Sequence, residues 1–158
     1  MLGRRRPHPL SSHEAQLLAT LTTTTPQWEA LAALYEQRGD PKGQAIRLRL
    51  RRDALPLRSQ ERSDAGDAVY EHDEAHKDHF KAGVSLRWPH QHLDGGFFCA
   101  LLTFADELGL IGGLLRRQPL RGLYVFVDGN AGAVKAAVDA DPDAFAVIDE
   151  FTFSDKTK

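Results

Sequence analysis

The sequence predicts an α+β fold, in which an N-terminal helical subdomain of three or four helices precedes short strand–helix units with a small, mainly parallel sheet. Two observations predict it: helix-capping residues and helical spacing dominate up to residue 82, and short apolar runs alternate with helical segments from Gly83 onward. With 158 residues, 42% hydrophobic and 27% charged, the chain is in the globular range and long enough to bury a stable core. We therefore expect a disordered basic tail over residues 1–11, a helical region over 12–82 and a strand–helix region over 83–158.

The first two helices are predicted from the residues at their ends. Ser12 is a suitable N-cap for the first helix, and the threonines of residues 22–25 end it, because β-branched residues are poor in a helix interior. Thr25 and Pro26 then begin the second helix, since proline is favoured at the first helical position.

The sharpest local signal is the run RGDPKG at residues 38–43. Its first glycine ends the second helix, because glycine adopts the left-handed conformation without steric cost, and the Asp-Pro pair caps and begins a third helix. Residues 46–52 fit both a strand and a helix, and the start signal favours a helix that ends at Pro56, followed by a fourth helix over 59–80. The candidate structural corner consists of Arg38, Gly39, Asp40, Pro41 and Gly43.

Three short segments of the second region share the pattern apolar-x-x-apolar-x-apolar, with one threonine exception. They are Phe98-x-x-Leu101-x-Thr103, Leu120-x-x-Leu123-x-Val125 and Ile148-x-x-Phe151-x-Phe153. Their starts are 22 and 28 residues apart, close to the period of leucine-rich repeats, whose strand–helix units stack side by side. We predict strands over 84–88, 97–104, 120–127 and 145–153, with helices over 105–118 and 131–140. An uncovered edge of this sheet would be an association site, which allows a dimer.

The segment around the corner resembles the bacterial repeat-companion domain family, whose members read as an aromatic-rich helix ending E-x-R-G-D-P-x-G and a short helix with an apolar-Arg-Leu core. The matching residues are Leu34, Tyr35, Glu36, Arg38, Gly39, Asp40, Pro41, Gly43, Ile46, Arg47 and Leu48. The order that follows is also similar, so the resemblance covers residues 12–127, with differences from the usual family residues at 32–35 and at Ala45. It implies a capping or interaction module that lies beside repeat arrays, and it brings no catalytic residues with it.

Three histidines form the strongest candidate for chemistry. His72, His76 and His79 are spaced i, i+4 and i+7, which places them on one face of a helix, and imidazole is a ligand for zinc, copper or nickel. A metal-binding protein or metalloenzyme is therefore one alternative. The other interpretation is a solvated polar helix face, since charged residues flank all three histidines.

A basic run forms the second candidate. Its members are Arg47, Arg49, Arg51 and Arg52. Clustered arginines suit phosphate contacts, so a nucleic-acid-binding accessory protein is a further alternative. The net charge of −2 and the absence of interleaved aromatic residues argue against a dedicated nucleic-acid module, and favour pairing with Glu36, Asp40 and Asp53 or solvation.

The remaining features bound the class of protein. Cys99 is the single cysteine and lies in an apolar run, which predicts a buried thiol and a reducing compartment. Apolar stretches are too short for a signal peptide or a membrane span. Residues 128–132 read as a turn with a helix cap. The sequence thus predicts a cytoplasmic, non-catalytic protein-interaction or repeat-capping module with an unknown protein partner and no cofactor.

Overall fold

The structure, a computed structural model, describes residues 10–19, 25–81, 86–87, 91–117, 122–146, 148 and 150–154. The chain divides into a helical unit, Met1–Gly83 with Leu93–Phe97, and a strand–helix unit, Val84–His92 with Phe98–Lys158. The predicted α+β class is confirmed. The predicted boundary near residue 83 needs one correction, because the short segment Leu93–Phe97 returns to the helical unit. The predicted basic tail lies outside the described residues except for its last two.

The described part of the helical unit contains five helices. They are α1 (Ser12–Ala19), α2 (Thr25–Gln37), α3 (Lys42–Asp53), α4 (Gln60–Ala75) and α5 (Lys77–Phe80). The ambiguous third segment is a helix, as its start signal favoured. The prediction of one continuous fourth helix was wrong: His76 has a φ of −116° and separates α4 from α5. Ser59 caps α4, and its hydroxyl accepts a hydrogen bond from the Arg62 N–H.

A β-hairpin contributes to the helical unit. Its strands are β1 (Leu93–Asp94) and β2 (Phe97–Phe98), joined by Gly95 and Gly96. Both glycines have positive φ, +64° and +83°, as a two-residue type I′ turn requires. The hairpin contributes one side chain, Phe97, to the core of α1, α2 and α3. The buried residues of this core are Leu18, Leu31, Ala32, Tyr35, Ile46 and Phe97.

Three parallel strands form the sheet of the strand–helix unit. They are β3 (Ala100–Phe104), β4 (Gly122–Phe126) and β5 (Glu150–Ser154), in the order β3–β4–β5. The register places Leu101 beside Leu123 and Leu123 beside Phe151, so the three predicted segments align at equivalent positions of their common pattern. Leu101, Leu123 and Val125 are buried, which is why the apolar spacing sets the register.

Short helices connect these strands. They are a 3₁₀ helix (Ala105–Leu110), α6 (Gly112–Leu115), α7 (Ala131–Ala140) and α8 (Pro142–Phe145). The 3₁₀ helix packs against α7 and α6 against α8, so the strand–helix units stack as predicted from their spacing. The helix predicted over 105–118 is therefore a 3₁₀ helix with one further turn.

Other predicted strands differ from the observed ones. The run 97–104 is divided between β2 and β3, and the final strand begins at Glu150 because residues 142–145 form α8. The strand predicted at 84–88 lies largely outside the described residues. Within the described part of the chain, no helix combines the length and apolar character needed to cross a membrane.

Candidate functional site

The corner at residues 38–43 ends α2 in a Schellman motif. Gly39 has a φ of +66°, in the left-handed region. Its N–H donates to the Glu36 carbonyl (3.0 Å), and the Asp40 N–H donates to the Tyr35 carbonyl (2.9 Å). The carbonyls at the end of α2 are thus satisfied by the turn itself.

Asp40 connects the corner to the next two elements. Its carboxylate accepts a hydrogen bond from the Lys42 N–H (2.9 Å), and the same oxygen lies 2.9 Å from His79 Nε2 on α5. The helix begins at Lys42, one residue later than predicted, and Pro41 is the flanking residue. Asp40 is therefore a helix-capping group that also contacts α5.

Gly43 is required by close packing between α2 and α3. A Cβ atom placed there would lie 2.7 Å from Glu36 Cγ and 2.9 Å from the Ala32 carbonyl oxygen. Real side chains do not approach this closely, so the second glycine of RGDPKG lets two helix backbones come together.

Arg38 fastens the corner to α1. Its guanidinium donates to Glu14 Oε2 (2.6 Å) and to Ser11 Oγ (2.8 Å), and Tyr35 Oη donates to Glu14 Oε1 (2.8 Å). Glu14 is only 7% exposed, and the Arg38 guanidinium balances the charge of its carboxylate. Burial, followed by the Glu14 carboxylate, raises the pKa of Tyr35 well above its usual value. Our sequence reasoning missed Glu14, although its spacing of three and four residues from Leu17 and Leu18 marks a carboxylate on an apolar helix face.

Three of the four candidate interaction arginines are paired within the helical unit. Arg47 donates to both oxygens of Glu36 (3.0 and 3.3 Å), and Arg52 donates to both oxygens of Asp94 (2.6 and 3.0 Å). The hydrogen bond to Asp94 raises the pKa of Arg52 above its usual value.

The other two arginines differ in their surroundings. Arg49 Nε lies 3.7 Å from Asp94 Oδ2, and its guanidinium stacks over Trp28 at 4.8 Å from the ring centroid. Arg51 is exposed and has no ion-pair partner among the described residues. The predicted partners Glu36 and Asp53 do pair with these arginines, and Asp94 is an additional partner. The third predicted partner, Asp40, contacts His79 instead.

The three candidate metal ligands are not brought together. The rings of His72 and His76 are tilted by 32° with centroids 4.4 Å apart, but His79 follows the break at residue 76 and lies beside Asp40. No group of three or more His, Cys, Asp or Glu side chains is placed to hold a metal ion in the described ranges. His72 Nδ1 is buried without a partner, and burial, followed by His76, lowers the pKa of His72.

Asp73, beside the first histidine, holds the hairpin. Its carboxylate accepts hydrogen bonds from the Gly95 N–H (2.9 Å) and the Gly96 N–H (2.8 Å). Burial raises its pKa, and the two backbone hydrogen bonds oppose that shift. Sequence reasoning missed this residue, because its partners lie more than twenty residues away and the pattern around it is polar throughout.

Polar groups of the strand–helix unit have structural roles. The Gln91 side chain donates to the Leu102 carbonyl (2.8 Å) and accepts from the Leu102 N–H (3.0 Å), so one amide covers part of the outer edge of β3. The prediction of a buried Cys99 was wrong, since it lies exposed between β2 and β3. Residues 128–132 form the predicted turn, but Asn130 makes no side-chain capping bond to α7.

The opposite edge of the sheet is formed by β5. Among the described residues no strand lies beyond β5, and Phe153 is 53% exposed. The rings of Phe151 and Phe153 stack with centroids 5.9 Å apart and an interplanar angle of 11°. We call the backbone and side chains of these two residues the β5 edge.

The direction of the backbone groups at the β5 edge follows from one hydrogen bond. The Val127 N–H donates to the Ser154 carbonyl (2.8 Å), so the backbone of Ser154 faces β4. Because successive residues of a strand direct their N–H and C=O groups to opposite sides, Phe151 and Phe153 present theirs outward. Four backbone groups are thus available to another strand.

No family model, curated protein or solved structure matches this chain.

Proposed function

We propose that this protein is a non-catalytic protein-interaction or repeat-capping module, and that the β5 edge is its interaction surface. One observation carries the proposal: a stack of parallel strands ends in a strand whose outward N–H and C=O groups have no partner among the described residues and whose Phe153 ring is 53% exposed. Such an edge binds another strand through main-chain hydrogen bonds, and side chains beside it supply specificity.

The two edges of the sheet differ in a way that supports this function. At the first strand, the Gln91 amide takes up both the N–H and the C=O of Leu102. At the last strand, no comparable group covers Phe151 or Phe153 in the part of the chain that the structure describes. Natural proteins usually protect strand edges, so an edge left open beside a protected one indicates a binding role.

The polar clusters favour a non-catalytic protein over the alternatives. Arg47, Arg49 and Arg52 are occupied by carboxylates of the same unit, which weakens the nucleic-acid hypothesis. The metal hypothesis required a shared histidine face, and that face is interrupted after Ala75. Arg51 remains the candidate interaction arginine that faces solvent without an ion pair to a described residue.

The resemblance to the repeat-companion family supports the same function. Such domains lie beside repeat arrays, and terminal units of repeat stacks need partners or polar caps because each unit buries its face against a neighbour. Stacked strand–helix units with one open edge suit that setting. Membership of the family is part of the proposal.

The experiment compares partner recovery by three baits from native lysate. The wild-type chain and a Leu110→Lys variant should recover the same protein partners, and a Phe153→Lys variant should lose them. Leu110 is the matched control because it is an apolar residue of the same unit and is 82% exposed, yet lies outside the β5 edge. Equal recovery by wild type and Phe153→Lys, or no recovered protein, would contradict the proposal.

A further inference from the structure

We propose that the β5 edge pairs with the β5 edge of a second copy of this chain, in an antiparallel arrangement whose two-fold axis passes through Thr152. This inference rests on the proposed function and names the partner of the same surface. A homodimer of this kind joins two three-stranded sheets into one six-stranded sheet.

The outward backbone groups select this axis. In an antiparallel pair, two opposite residues whose N–H and C=O groups face each other exchange two hydrogen bonds. An axis at Thr152 places Phe151 opposite Phe153 of the second copy, and the reverse, so all four outward groups of each described strand are used. An axis at either phenylalanine would place that ring opposite its own copy and leave the other ring without an opposite ring, whereas the axis at Thr152 forms two opposite phenylalanine pairs.

The side chains agree with the same register. Opposite residues of a strand pair lie on one face, so the axis at Thr152 places four phenylalanine rings together, and cross-strand aromatic pairs stabilise such contacts. The stacked pair Phe151–Phe153 already lies on one face of β5, with Phe153 exposed. Covering these rings removes apolar surface from water.

Within the described strand, the axis at Thr152 brings no like charges directly opposite each other, because Glu150, its single charged residue, faces Ser154 of the second copy. The strand lacks the lysine, proline and bulge that usually protect an edge. The five-residue strand therefore matches a copy of itself in hydrogen bonding and in the placement of its aromatic rings.

The size of the contact predicts a weak dimer. A pairing of two five-residue strands covers much less than the roughly 1,200–2,000 Å² buried by standard stable interfaces. We therefore expect a reversible dimer that dissociates on dilution. Sedimentation velocity over a concentration series should show the dimer at the high end, and Phe153→Lys should abolish it.

Disulfide capture tests the register directly. All variants carry Cys99→Ser, because the native cysteine is exposed. Thr152→Cys places two thiols opposite each other at a non-hydrogen-bonded position, where Cα atoms lie about 4.5 Å apart, within disulfide range. Glu150→Cys is the matched control, since it is equally exposed on the same strand and its counterpart would be roughly 14 Å away.

A mixture of Glu150→Cys and Ser154→Cys chains completes the design. These positions are opposite each other in the proposed register. The mixture should therefore form disulfide-linked heterodimers, whereas each variant on its own should crosslink poorly. Under mild oxidation we expect the Thr152→Cys chain to crosslink at least tenfold faster than Glu150→Cys, and added Phe153→Lys to remove the difference. Equal rates for Thr152→Cys and Glu150→Cys would overturn the proposal.

The outcomes separate this inference from the proposed function. If Thr152→Cys fails to crosslink while Phe153→Lys still loses a heterologous partner, the second copy is the wrong occupant and the β5 edge remains an interaction surface. If Phe153→Lys changes neither crosslinking nor partner recovery, both proposals fail. Because Phe153 is more than half exposed, the Phe153→Lys variant should fold normally. A circular dichroism spectrum that matches the wild type checks this.

Discussion

Replacing Gly39 with valine should destabilise the helical unit through the backbone alone. Gly39 has a φ of +66°, and a Cβ atom added there would meet no atom within 4 Å. Steric contact therefore contributes nothing, and the cost is the left-handed conformation itself, about 1–2 kcal/mol for a residue with a Cβ and at the upper end for a β-branched one. Asparagine tolerates this conformation, so Gly39→Asn should cost less than Gly39→Ala, and valine most.

Urea unfolding measures this series. With an m-value of about 1–2 kcal/mol per molar, a loss of about 1.5 kcal/mol lowers the midpoint by roughly 1 M. Gly66→Ala is the matched control, because Gly66 lies inside α4 of the same unit and its added Cβ would make only an ordinary contact, 3.7 Å from Arg52 Cδ. Alanine there should raise stability by about 0.5–1 kcal/mol. An unchanged midpoint for Gly39→Val would refute the assignment of the corner.

Three further substitutions test the packing and the charges. Gly43→Ala should cost about 1–3 kcal/mol in urea unfolding, because its Cβ would lie within 3 Å of the α2 backbone, and a neutral effect would contradict that approach. Asp73→Asn should cost about 1–3 kcal/mol and speed amide exchange of Gly95–Gly96, because one oxygen cannot accept from both N–H groups; unchanged exchange would refute its role. Burial lowers the pKa of His72, so this residue contributes stability above its unfolded pKa near 6.5, and that stability is lost as the pH falls through the folded pKa. His72→Gln should therefore weaken the dependence of the urea midpoint on pH in the acid range. An unchanged dependence of the midpoint on pH would contradict this role of His72.

Local signals account for the features that the sequence predicted. Gly39 ends α2 because a glycine can adopt the left-handed conformation, and this depends on a few neighbouring residues alone. The alignment of Leu101, Leu123 and Phe151 follows from a period-two apolar pattern, which buries one face of β3 and of β4 and continues into the partly exposed face of β5. Such patterns are present in any short window of the chain, so inspection of the sequence finds them.

Contacts between distant residues account for what the sequence did not predict. Arg52 pairs with Asp94, 42 residues further along, and Asp73 binds the turn of a hairpin 22 residues away. Neither carboxylate differs in local pattern from its solvated neighbours. The exposure of Cys99 has a similar origin, because one apolar run is shared by two different strands and the residue between them belongs to neither.

The internal pairing of charged groups also makes the arginines of α3 weaker candidates for an interaction surface than the backbone of β5. A guanidinium held by two carboxylate oxygens has its charge balanced and part of its five N–H donors occupied, so Arg47 and Arg52 attract an external phosphate less than an unpaired arginine does. The outward N–H and C=O groups of Phe151 and Phe153 lose only water when a strand binds, and the exposed ring gains a contact. Binding at the β5 edge therefore requires no rearrangement of the described strands, whereas binding at Arg47 or Arg52 would compete with the contacts that join α3 to Glu36 and Asp94.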